Sequence, residues 1–105
     1  MLDETLYPER FHPRVEANFM VQLHVGKKTV VAKARDLSMN GLYLYAFPVG
    51  QLERFEVTIP LPEGGKVKTR CLVRRQHMDG VAVEFDALDW DDMIVLARYL
   101  HPRLP

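Results

Sequence analysis

From residue 18 to residue 85, apolar side chains recur at every second position in short bursts, each cut off by glycine, proline or a cluster of polar turn formers. A period of two places successive side chains on opposite faces of an extended chain, so each burst reads as a strand with one face in a core. From Asn18 to Val25, Phe19, Val21, Leu23 and Val25 alternate with Asn18, Gln22 and His24, and only Met20 interrupts the polar side. Gly26-Lys27-Lys28 supplies a turn. Thr29 to Arg35 then returns as a β-branched run, with Val31 facing away from Val30, Ala32 and Ala34, which completes a hairpin.

After the turn Asp36-Leu37-Ser38-Met39-Asn40-Gly41, Leu42, Leu44 and Ala46 alternate with Tyr43 and Tyr45 until Pro48 and Gly50 end the strand. The alternation resumes at Phe55, Val57 and Ile59. It returns at Val67, Thr69, Cys71 and Val73 beyond Pro60, Pro62 and Gly64-Gly65, and a last short strand runs from Val81 to Phe85. The period then changes. Trp90, Met93, Ile94, Ala97 and Leu100 share a face at 3.6-residue spacing behind an N-cap at Asp89, and Pro102 stops the pattern. This stripe is expected to face the core.

Six short strands followed by one helix predict an all-β fold, a small six-stranded antiparallel barrel with a C-terminal α-helix packed on it. Closure also removes exposed strand edges. At 105 residues the chain suits one domain, which can hide roughly two-thirds of the extended chain's surface. Its first nine residues carry three acids, few apolar side chains and Pro8. Residues 1–8 are read as a flexible arm and residues 9–105 as the barrel domain with its helix.

Lys plus Arg and Asp plus Glu both number 14, so no net field draws the molecule to nucleic acid or anionic lipid, and an anionic ligand must be met by locally clustered cations. No apolar run approaches a membrane span and the start is not that of a signal peptide, so a cytoplasmic protein without membrane insertion is expected. Cys71, the single cysteine, leaves no partner for a disulfide or a zinc site, and His12, His24, His77 and His101 are scattered without ligand spacing. Neither a metal nor a cofactor is expected. Ser38 is the only serine and lacks a nucleophile elbow, and no phosphate-binding glycine fingerprint occurs, so no enzyme activity is expected.

Two features can carry chemistry. Pro13 disfavours a helix at His12, so Arg10-Phe11-His12-Pro13-Arg14 is extended or turned, and Arg10 and Arg14 can close on one ligand from the same side. A guanidinium pairs with phosphate oxygens or the O6/N7 edge of guanine and stacks on a purine. The second feature is the Asp36 to Gly41 turn. Its acid, hydroxyl and backbone N–H groups suit a guanine edge and a neighbouring phosphate, although the same residues also build ordinary turns, with Gly41 free to adopt a left-handed conformation.

The ordered pair Arg10-x-x-x-Arg14 and Asp36-x-Ser38-x-x-Gly41, followed by Gly80-Val81-Ala82-Val83-Glu84-Phe85 and the helix from Asp89, resembles the signature of PilZ domains from about Glu9 to the C-terminus. The resemblance implies a receptor for the bacterial second messenger cyclic di-GMP, with Arg10 and Arg14 gripping guanine and phosphate and Asp36, Ser38 and Gly41 completing the pocket. Many relatives carry a further arginine where this chain has Glu9. Glu9, Arg35, Arg74 and Arg75 are additional candidate contacts, and strand alternation predicts that Arg35 and Asp36 point opposite ways. The implied role is a monomer or ligand-dependent dimer that signals to a protein target in motility or biofilm control. The alternative is a protein-interaction module of the same fold that does not bind the dinucleotide.

Among the remaining residues, Cys71 is expected to be a buried, inert thiol. Tyr43 and Tyr45, opposite Leu42 and Leu44, are expected to project outward, as shielding or as stacking platforms. Stacking on single-stranded nucleic acid is disfavoured by the zero net charge.

Overall fold

The computed structural model of the chain describes residues 13–45, 53–62 and 64–103. Its elements are β1 (Val15–Glu16), β2 (Met20–Val25), β3 (Lys28–Leu37), β4 (Gly41–Tyr45), β5 (Arg54–Pro60), β6 (Lys66–Gln76), β7 (Gly80–Phe85) and α1 (Trp90–Leu100), then a 3₁₀ turn at His101–Arg103. The proposed arm and Glu9 and Arg10 lie outside the described residues.

All strand pairings are antiparallel, in the order β1-β3-β2-β5-β6-β7-β4, and β4 pairs back onto β3. β2 to β7 thus close into the expected six-stranded barrel. β1 is an added strand of two residues that extends the β2 edge of β3, with Val15 opposite Leu37 and Glu16 opposite Asp36.

The period-two pattern fills the barrel as expected. Val21, Leu23, Ala34, Leu44, Val57, Ile59, Val67, Cys71 and Val81 are buried, while Met20 and Val31 face outward. Thr69 is the polar exception, and its hydroxyl is satisfied by donating to the Ala87 carbonyl at 2.9 Å.

Asp89 caps α1, its side chain accepting from the Asp92 amide at 2.8 Å. The buried face of the helix differs from the expected stripe. Leu96, Tyr99 and Leu100 enter the core, with Val95 and Leu88 packed against it, while Trp90 and Ile94 are exposed. The helix carries two overlapping apolar stripes, and docking selects the one whose Tyr99 ring meets Phe19 edge-on, with centroids 6.0 Å apart. No helix among the described residues is long and apolar enough to cross a membrane.

Candidate functional site

Two irregularities in the barrel wall create the site. On the β3–β4 ladder Ala34 faces Leu44 but Asp36 faces Tyr43, so Arg35 is an extra residue. On the β6–β7 ladder Val73 faces Val83 but Arg75 faces Ala82, which makes Arg74 extra in the same way. A bulge of this kind breaks the alternation of faces and re-aims two consecutive side chains to one side. Asp36, Tyr43, Ala82 and Arg75 consequently form one rung across four strands, with Arg35 and Arg74 beside its two ends.

The expectation that Arg35 and Asp36 point apart is therefore corrected. The Arg35 Nε donates to Asp36 Oδ2 at 2.8 Å, and both side chains line a cleft of ≈ 590 Å³. That bond is the main reason the Arg35 pKa is raised further above its ordinary value. Across the cleft Arg74 pairs with Glu84, its Nη2 and Nε lying 2.5 and 3.1 Å from Oε1.

Tyr43 forms the floor between these pairs. Its ring lies on the face opposite Leu42 and Leu44, as the alternation requires, but it is only 5% exposed and so does not project as a free platform. The Arg35 guanidinium sits 3.7 Å above the ring centroid, and the His77 ring is 5.9 Å away. The Tyr43 hydroxyl donates to Asp79 Oδ1 at 2.6 Å. This bond raises the Tyr43 pKa and lowers that of Asp79, because it favours the neutral phenol and the ionised carboxylate together. His77 and Asp79 come from the tight turn joining β6 to β7, where the His77 amide donates to the Gly80 carbonyl at 2.8 Å. Sequence reasoning left both out of the site because no motif contains them. The one signal was Gly80, whose missing side chain leaves room for the Tyr43 ring.

The Ser38 to Gly41 turn closes one end of the cleft. The Ser38 amide donates to the Gly41 carbonyl at 2.9 Å, and the Ser38 hydroxyl accepts from the Asn40 and Gly41 amides at 3.0 and 3.3 Å. Ser38 is 6% exposed, so its hydroxyl mainly shapes the turn that presents the neighbouring backbone. The reason for Gly41 differs from the one expected. Positive φ occurs among the described glycines at Gly26, Gly64 and Gly65, not at Gly41. A Cβ at Gly41 would instead run into the Val83 carbonyl of β7 and lie 3.0 Å from the Glu84 Cα, so only glycine lets β4 and β7 pair at this rung.

Of the sequence candidates, Arg14, Arg35, Asp36, Ser38, Gly41, Arg74 and Arg75 all line this cleft, and Asn40, Tyr43, His77, Asp79 and Glu84 join them. Arg14 enters from the β1 end, immediately before Val15. Four arginines and three acids line the cleft, a local excess of one positive charge in a neutral molecule. No group of side chains suited to hold a metal ion occurs among the described residues.

No curated protein matches the chain. Among solved structures it is similar to Bacillus subtilis Inhibitor of motility (MotI/DgrA), with a TM-score of 0.76 and 19% identity. The match covers 88% of this chain and 49% of that one, so this chain spans about half the length of that protein, and at such identity the likeness concerns the fold. A family model described as PilZ domain matches residues 8–101, which include the bulged strands, the Ser38 turn and the whole of α1, and the chain therefore belongs to the PilZ domain family.

Proposed function

We propose that the chain is a non-enzymatic cytoplasmic receptor for cyclic di-GMP, and that the bulged cleft is its binding site. The observation that carries the reading is the convergence of three segments distant in sequence, Arg14, the Arg35 to Gly41 stretch with Asp36 and Ser38, and Arg74 with Arg75, on one concave surface. In this reading Asp36 accepts from the N1 and N2 donors of a guanine, oriented by its bond to Arg35. Arg14 meets phosphate or the guanine O6/N7 edge, and Arg10 supplies the second guanidinium of the clamp. Ser38 and Gly41 hold the turn whose backbone borders the ligand.

Binding changes the surface that the barrel presents around the cleft, and the altered surface acts on a protein target. The description of the structurally similar MotI/DgrA as an inhibitor of motility supports placing that target in motility control.

Calorimetric titration with cyclic di-GMP tests the reading. Charge-assisted hydrogen bonds contribute about 1.5–3 kcal/mol, so Arg14→Ala or Arg10→Ala is expected to weaken binding by roughly ten- to a hundredfold while leaving the fold intact. Absence of both heat and thermal stabilisation at roughly 50 µM ligand would overturn it.

A further inference from the structure

The helix face that the barrel leaves uncovered has a self-complementary layout. Trp90, Ile94 and Ala97 follow one another at spacings of four and three, which sets them in line on one side of α1. Trp90 is 72% and Ile94 38% exposed, and Ala97 is exposed as well. Asp91 and Arg98 run along one flank of this stripe. Seven residues apart, they are separated by about 10 Å along the axis and cannot pair within one helix. Neither makes an ion pair among the described residues.

We infer that this face is a docking surface for a second copy of the chain, with the two α1 helices packed antiparallel about a two-fold axis near Ile94. A two-fold operation keeps each flank on its own side and exchanges the helix ends. Asp91 of each copy then lies beside Arg98 of the other, giving two intermolecular ion pairs from residues that have none among the described residues. The large Trp90 ring falls at the level of the small Ala97 of the second copy, and the two Ile94 side chains meet at the centre. The first-turn acid Asp91 lies at the level of the basic end of the opposing helix, which favours this direction over a parallel one. Two helices of 11 residues bury less than the ~1,200 Å² of a stable complex, so the pair is weak and concentration-dependent.

Trp90 is the only tryptophan in the chain and reports on this surface directly. In sedimentation velocity from roughly 5 µM to 1 mM full chain, the mass is expected to rise toward that of a dimer, with a blue shift of tryptophan emission over the same range. Ile94→Glu is expected to weaken association at least tenfold with an unchanged circular dichroism spectrum. Asp91→Arg and Arg98→Asp should each fail to self-associate, yet mixing the two variants should restore the dimer, since each repulsive pair becomes attractive. A monomer with constant emission up to 1 mM, a dimer that survives Ile94→Glu, or a mixture no stronger than either variant alone would overturn the proposal. So would capture of Trp90 by a heterologous partner without self-association.

Discussion

Gly41 and Ser38 illustrate how much a single atom decides. The hydroxyl of Ser38 takes two backbone amides, and the missing Cβ of Gly41 lets the next strand close over the turn. Gly41→Ala is therefore expected to cost roughly 2–4 kcal/mol, lowering Tm by about 10–20 °C, because the displaced atoms are backbone and cannot rotate away. Gly26→Ala makes the contrasting control. Gly26 has φ 62° and open space around it, so its cost is limited to about 1 kcal/mol of backbone strain. Thermal melts of the two variants check the comparison, and a Gly41→Ala melt no lower than that of Gly26→Ala would refute it. The Gly41 position was legible in the sequence, but its reason was not. A turn motif suggests backbone conformation, whereas the real constraint comes from Val83, more than forty positions away.

At the scale of elements, the six barrel strands followed directly from the alternation, with their two faces mostly assigned correctly, whereas the two-residue β1 is too short to show a period and was missed. The bulges were not. Nothing in Ala34-Arg35-Asp36 or Val73-Arg74-Arg75 announces an extra residue, since a bulge is set by the register of the partner strand. Yet the bulges are what turn Arg35 and Arg74 toward the cleft. The helix shows the same ambiguity in another form: a 3.6-residue period identified α1 and its cap, but two stripes competed for the core. Asp89→Ala is expected to remove the bond to the Asp92 amide and destabilise the protein by about 1 kcal/mol, read as a fall in the urea midpoint at unchanged slope. An unchanged midpoint would mean that packing of Leu96, Tyr99 and Leu100 alone holds the helix.

At the scale of the whole molecule, three groups among the described residues make stability fall at alkaline pH. Burial, reinforced by the Asp86 carboxylate, pushes the Cys71 thiol from its ordinary 9.0 up to about 12. Tyr43 is raised first by its bond to Asp79, and Tyr99 by burial. In each case the folded state holds its proton at pH values where the unfolded chain releases it, so stability falls as pH rises above the unfolded pKa. For Cys71 the window runs from 9.0 to about 12, and the loss across it is at most about 4 kcal/mol. Urea unfolding at stepped pH should show this decline, and Cys71→Ala should flatten it. An equal slope in that variant would assign the decline to the tyrosines. A thiol reagent at pH 8 should label Cys71 only as fast as the protein opens.

The sequence by itself determined the six barrel strands, the capped helix, the neutrality that demands a local cation cluster, and the ordered Arg-x-x-x-Arg and Asp-x-Ser-x-x-Gly motifs. These are local properties, written in period, turn chemistry and spacing. Tertiary structure alone decided which side chains share the cleft, why Gly41 admits no side chain, that Tyr43 is a covered floor beneath Arg35, and which helix stripe stays open. Those outcomes depend on interstrand register and on barrel closure, and both arise from contacts between segments far apart along the chain.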